Sequence, residues 1–324
     1  VLIALSIIGG IVLACAILPL GGFALLLAAG SAGASSAGPL PAPRFQEQVV
    51  EGRGPDRIAL IEVTGVIGAP ANAFALETSQ DGLIRQIRQA ANDDRVKAVV
   101  VRVDSPGGGV VASNELHAAM QEVTAAGKPL VVSMGGTAAS GGYYIATAAD
   151  KIYANPDTLT GSLGVILSLT NIEAAYEKLG LRSIVYKSGD LKDIGSATRA
   201  PTPEEDAILQ SIVQEAYEGF VDVIVEGRNL SREQVLQIAD GRIYTGQQAL
   251  ELGLIDELGN LDAAIAGARE LAGLENALVV RYVQAGSLRS LLLARLGPQP
   301  PADPLGLNQI TNPPPPQLEY RWVP

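Results

Sequence analysis

Two glycine-rich turns carry the residues best suited to chemistry. Asp104-Ser105-Pro106-Gly107-Gly108-Gly109 follows an apolar run over 96–104, and Thr137-Ala138-Ala139-Ser140-Gly141-Gly142 follows another over 129–134. Each precedes a helical pattern. Glycine at a strand-to-helix turn permits close backbone approach and leaves N–H groups free at the positive start of a helix. That suits a phosphate or a developing oxyanion. A nucleotide P-loop is excluded, because no Gly-Lys-Ser/Thr follows. Read alone, Ser140 fits a helix cap better than a nucleophile, and the Asp104–Gly109 turn fits an ordinary connection equally well. The pair says more: two such turns about one βα unit apart can lie side by side at one sheet edge. One would offer a nucleophile, the other N–H donors.

A serine nucleophile needs a base. The chain has one histidine, His117, inside a helical pattern and without an evident acidic partner, so packing suits it better. Lysine serves when neutral, which requires burial to bring its ordinary value of about 10.4 down toward neutrality. Lys192, in Lys187-Ser188-Gly189-Asp190-Leu191-Lys192-Asp193-Ile194-Gly195-Ser196, is the best candidate, only slightly ahead of Lys187. Asp193 beside it would keep it protonated if the two touched, but adjacent side chains diverge in an extended chain.

The elements that must position these residues alternate. Apolar runs at 57–63, 96–104, 129–134, 151–154, 164–167 and 183–187 read as strands; 82–91, 112–124, 139–149 and 172–179 read as helices. Alternation of this kind predicts βαβ units around a largely parallel sheet. Thr202-Pro203-Glu204-Glu205 then opens a well-capped helix whose face is marked by Ile208, Ile212, Ala216 and Phe220. Ser231-Arg232-Glu233-Gln234 and Thr245-Gly246-Gln247-Gln248 repeat the capping pattern. No internal repeat is visible, which predicts one α/β unit over 56–285.

The flanks differ from this body. The first charged residue is Arg44, and residues 1–30 are almost wholly apolar. A bilayer core of about 30 Å needs about 20 helical residues, so one retained transmembrane helix is expected, with Pro19 as a kink. A cleaved signal peptide would carry an apolar core of roughly 7–15 residues. Only Arg44 is basic soon after the span, an expectation that the body lies outside the cytoplasm. Residues 31–55 read as a flexible tether and 286–324 as a Pro-rich tail without a core of its own. Its aromatic end, Tyr320-Arg321-Trp322, could dock somewhere that the sequence does not specify.

Composition removes other classes. One cysteine and one histidine cannot build a disulfide scaffold or a Cys/His zinc site. A net charge of −11 argues against a broad nucleic-acid surface.

Taken together, the segments DSPGGG, AASGGYYIATAADKIYANPDTLTGSLGVI, YKSGDLKDIGSATR and PTPEE resemble, in order and spacing, signal peptide peptidase A, the protease IV family of serine peptidases. The resemblance covers roughly 56–285 and implies a Clp-protease/crotonase-like α/β fold. By motif it makes Ser140 the nucleophile, Lys192 the general base and Ser162 the hydroxyl that orients that lysine. It makes the backbone N–H groups of Gly108 and Gly141 the oxyanion hole, with Gly107 as the other choice for the first. It implies no cofactor and no metal. It also implies hydrophobic peptide substrates such as released signal peptides, and a homo-oligomeric ring in which each lysine comes from a neighbour. A related membrane protease that works with stomatin-like proteins, a crotonase-type acyl-CoA enzyme and an inactive membrane scaffold are the other readings of these motifs.

Overall fold

The computed structural model describes residues 44–69, 78–283 and 318–322. The expected membrane span at 1–30 and most of the expected tether lie outside the described residues. Among the described residues no helix is long and apolar enough to cross a membrane. All that follows belongs to one unit, Phe45–Pro324.

The near-continuous Val/Ile/Leu/Ala runs become the centre of a mostly parallel sheet, because a strand covered on both faces needs apolar side chains on both. Strands β2 (Arg57–Thr64), β3 (Val96–Ser105), β5 (Leu130–Ala139), β6 (Lys151–Ala154) and β10 (Glu257–Leu258) lie side by side and parallel. β11 (Leu278–Val283) runs parallel to β2 on its other side, and β1 (Gln46–Gly52) closes that edge antiparallel to β11. β1 thus gives a ladder to part of the stretch expected to be tether. Its residues are mostly exposed, so hydrophobic patterning gave no sign of it.

Alternation divides the core. Ala59, Ile61, Val99, Val101 and Val103 pack with helices α1 (Gln80–Asn92), α2 (Val110–Ala125), α3 (Gly141–Ala146) and the end of α5 (Pro203–Arg228). Ile58, Leu60, Ala98, Val100 and Val131 face α8 (Leu261–Leu271) through Ala264, Ile265 and Ala268. Ser79 caps α1 by accepting from Gly82 N, and Thr202 and Glu205 form the expected capping box of α5. Only the C-terminal half of the marked α5 face is buried: Phe220 is 1% exposed while Ile212 is 41% exposed.

Between β5 and β6 stands α3, and β7 (Leu159–Gly161) then pairs parallel with the end of β5. β9 (Ile243–Thr245) follows α6 (Arg232–Ile238), lies antiparallel to β7, and leads into α7 (Gly246–Glu251). A separate small sheet joins β4 (Gly107–Gly109), β8 (Ile166–Leu167) and β12 (Leu318–Arg321), with β12 in the middle and antiparallel to both. Part of the tail, expected to have no core of its own, is therefore an integral strand.

The strand expected at 183–187 is absent. After α4 (Glu173–Lys178), residues 181–201 form no helix or strand. Leu181, Ile184, Val185 and Tyr186 are exposed, Tyr186 by 95%. A β-branched run becomes a strand only when a neighbour completes its ladder, and none within the described chain does so here.

Candidate active site

Two turns meet at the C-terminal edge of the parallel sheet. Ser105 at the end of β3 is the register partner of Ala138 at the end of β5, which brings the Asp104–Gly109 turn against the Ser140 turn. Asp104 Oδ1 accepts from Thr137 N at 3.0 Å, and Ser105 Oγ accepts from Gly107 N at 3.1 Å. These bonds fix the two loops to one another.

Ser140 ends β5 and opens α3 in an unusual conformation, φ 53° and ψ −116°. A non-glycine residue with positive φ stores about 1–3 kcal/mol and persists only where its surroundings over-determine it. Here Ser140 N donates to Gly161 O at 2.7 Å and Ser140 O accepts from Tyr144 N at 2.8 Å. The side chain is 1% exposed, and Oγ has no hydrogen-bond partner. An orphaned buried hydroxyl at a strained turn is an uncommon arrangement that asks for an explanation.

The glycines around it are required by close approach. A Cβ at Gly141 would stand 2.6 Å from Ser113 Oγ and 3.1 Å from both Gly108 N and the Tyr320 carbonyl oxygen. Gly107 has φ +99°, and a Cβ there would overlap that same carbonyl and lie 2.7 Å from Gly141 N. The geometry distinguishes Gly108 from Gly107 as a donor. Gly107 N is taken up by Ser105 Oγ. Trp322 N donates to Pro106 O at 2.8 Å, which makes Tyr320 and Gly108 the next hydrogen-bonded pair of the antiparallel ladder. Gly108 N–H thus points at Tyr320 O, and the backbone of Gly141 closes on the same oxygen.

Ser162 follows β7 directly, with φ 51° and its N–H donating to Arg242 O at 2.7 Å. It is 8% exposed. Ser140, Gly108, Gly141 and the Ser162 backbone are thus gathered by neighbouring strand ends.

Lys192 is not brought to this group. It lies in a turn-rich, exposed segment, and Ser140 Oγ has no partner within bonding distance. Asp193 does not pair with Lys192. Its carboxylate takes Lys187 Nζ at 2.8 Å and Arg199 Nη2 at 2.8 Å, which hold it well below the usual carboxylate range. Arg199 in turn bonds Glu205 Oε2 at 2.7 Å, tying this segment to the start of α5. Lys187, the other lysine considered, is consumed by Asp193 and the Asp190 carbonyl. His117 sits on α2, packed edge-on against Tyr144 at 5.3 Å, and burial lowers its imidazole to about 4.

Sequence reasoning left open where the aromatic end of the tail docks. Tyr320 is 2% exposed. Its ring stacks on Tyr144 at 5.0 Å and lies 4.7 Å from Phe220. The only available signal was the aromatic composition of 320–322, which names no docking site.

Comparisons with known proteins place the body of the chain in a family. The sequence matches peptidase family S49 over residues 122–275 and the Clp protease family over residues 74–160, consistent with a Clp-protease-like α/β fold. A relative from Enterococcus faecium, assigned by name to signal peptide peptidase SppA, is 39% identical over 73% of this chain and 70% of its own length. Protease 4 of Salmonella typhi is 44% identical over 60% of this chain and 31% of that protein. The chloroplastic serine protease SPPA of Arabidopsis thaliana is 35% identical over 68% of this chain and 33% of that protein. With its strained serine turn, paired glycine loop and matches along the body, the chain belongs to peptidase family S49 and is a serine peptidase.

Proposed function

We propose that Ser140 is the nucleophile and that its base, Lys192, is supplied by a neighbouring copy of the chain. The observation that carries this is the Ser140 hydroxyl, buried and unpartnered, one residue before Gly141, whose backbone stands with that of Gly108 against a single carbonyl oxygen. Neutral Lys192 takes the Oγ proton as Oγ bonds to a peptide carbonyl carbon. The backbone N–H groups of Gly108 and Gly141 hold the resulting oxyanion. The C–N bond breaks, the lysine proton passes to the leaving amine, and water then releases the acid and restores the serine. Ser162 orients the incoming lysine. These steps call on no metal or nucleotide.

Exposure of Lys192 and of the apolar residues before it supports a shared site. Leu179, Leu181, Ile184, Val185 and Tyr186 present an apolar run to solvent in the single chain, the kind of surface that assembly covers. A ladder partner for 183–187 would come from the same neighbour. Substrates are hydrophobic peptides such as released signal peptides, in keeping with the charge-free run 1–30, which would anchor the enzyme in a membrane with its body outside the cytoplasm. The test is labelling of the full chain with a serine-directed fluorophosphonate. The label should map to Ser140 and vanish in Ser140→Ala; equal labelling of that variant would overturn the assignment.

A further inference from the structure

Ser113 stands in the first turn of α2, on the buried face that also carries Leu116, His117 and Met120. It is 0% exposed, and among the described residues its hydroxyl has no hydrogen-bond partner. A serine within a helix ordinarily reaches solvent or donates to the carbonyl four residues back. Ser113 does neither, and a buried hydroxyl left without a partner costs stability. Its neighbours suggest what that cost serves. A Cβ on Gly141 would stand 2.6 Å from Ser113 Oγ and 3.1 Å from both Gly108 N and the Tyr320 carbonyl oxygen. One point thus adjoins the idle hydroxyl, a donor of the proposed oxyanion hole and a carbonyl oxygen seated beside that donor. The hydroxyl nevertheless makes no bond to that oxygen.

We infer that Ser113 is a third donor of the oxyanion hole, idle toward a planar carbonyl oxygen and engaged by the tetrahedral oxyanion. This rests on the proposed chemistry of Ser140. A carbonyl oxygen has two lone pairs, and the backbone N–H groups of Gly108 and Gly141 take both in that chemistry. When Ser140 Oγ bonds to the carbonyl carbon, the π pair moves onto the oxygen, which then carries three lone pairs and a negative charge. No backbone donor is left for the third pair. Ser113 Oγ–H can turn to it, because a hydroxyl hydrogen rotates to suit its acceptor. A charged acceptor also makes the bond stronger than a neutral one would. The proton stays on Ser113 throughout. When the C–N bond breaks, the pair returns to the carbonyl and the hydroxyl is idle again. The position favours the same charge: Ser113 lies at the N-terminal end of a 16-residue helix whose first turn holds no acidic residue. A bond made only in the tetrahedral state lowers the barrier without tightening substrate binding.

The test is steady-state kinetics of the full chain on a fluorogenic hydrophobic peptide, with unfolding midpoints measured on the same preparations. Ser113→Ala should lower kcat and kcat/KM together by about a hundredfold, with KM within about twofold of wild type. Its unfolding midpoint should equal or exceed that of wild type, since the change removes a buried hydroxyl that has no partner. Ser113→Cys fills the same place with a weak donor and should lose kcat to a similar extent. A peptide aldehyde, which forms a tetrahedral adduct with Ser140, should bind Ser113→Ala more weakly by the same factor as the loss in kcat/KM. The matching peptide alcohol, which forms no adduct, should bind unchanged. Wild-type kcat in Ser113→Ala, or a raised KM at unchanged kcat, would overturn the inference. A lowered midpoint or failure to fold in Ser113→Ala would make the hydroxyl structural and overturn it too. Full activity in Ser113→Cys would assign Ser113 to packing, with the same consequence. Ser140→Ala separates the two readings. If it is inactive, any of those outcomes leaves the Ser140 chemistry standing; if it cleaves at the wild-type rate, the proposed function fails, and the role of Ser113 with it.

Discussion

Ser140 and Ser162 stand one residue beyond Ala139 and Gly161, which are register partners across the parallel strands β5 and β7. Both serines have positive φ, 53° and 51°, and both have their N–H groups tied at 2.7 Å, to Gly161 O and Arg242 O. Two strained serines at adjacent strand ends are a costly arrangement for a purely structural turn. They fit a site in which one hydroxyl attacks and the other positions the base.

The strain at Ser140 is testable. Ser140→Ala keeps a Cβ in the positive-φ position, whereas Ser140→Gly removes it. Both variants should be inactive. The glycine variant should be more stable than the alanine variant by about 1 kcal/mol, measured by denaturant unfolding. Equal stabilities would mean that the turn is relaxed.

The strand Leu318–Arg321 pairs with β4, and its Tyr320 carbonyl stands against Gly108 and Gly141, the donors that the proposed chemistry requires for substrate. Tyr320→Asp places a charge in an aromatic pocket and should release the strand, raising the initial rate on added peptide several-fold at sub-saturating concentration. Tyr320→Phe should stay near wild type. A Tyr320→Asp enzyme with an unchanged or lower rate would mean that the tail is structural support.

Burial lowers His117 to about 4, against about 6.5 in an unfolded chain. The unfolded chain therefore takes up the proton first as pH falls. The stability that neutral His117 confers is complete above about pH 6.5 and is lost on descending to about pH 4, by roughly 3 kcal/mol. His117→Phe should flatten the stability profile over that window, as read from unfolding midpoints at several pH values. An unchanged slope would assign the acid sensitivity to other groups.

Arg199 bridges Asp193 and Glu205, which fixes the Lys192 segment to α5. Arg199→Met should lower kcat by about tenfold or more through misplacement of the base, with the far-UV spectrum unchanged. Wild-type turnover in this variant would show that the neighbour alone orders the segment.

Much of the scaffold was legible in the sequence because its signals are local. The Val96–Ser105 run, the capping box at Thr202 and the small residues around Ser140 each declare their own conformation. What was illegible depends on partners distant in sequence or outside the chain. β12 finds β4 more than two hundred residues earlier, and no pattern in 318–321 encodes that pairing. The apolar run at 183–187 reads as a strand, yet strand formation belongs to the pair and not to the segment. Gly108 could be separated from Gly107 only by seeing that Ser105 Oγ takes the Gly107 N–H. Lys192 was chosen by chemistry and motif, and a single chain leaves it exposed because the account assigns it to another protomer's site.

The most direct test of that shared site is complementation. Ser140→Ala and Lys192→Ala are each inactive in this account, as is Lys192→Arg, whose guanidinium stays charged. The two alanine variants are mixed under conditions that allow subunit exchange, mixed assemblies are verified by native mass spectrometry, and cleavage of a fluorogenic hydrophobic peptide is measured. The account predicts recovery of a substantial fraction of wild-type activity, because some interfaces then pair an intact Ser140 with an intact Lys192. Verified mixed assemblies with no recovered activity would contradict it.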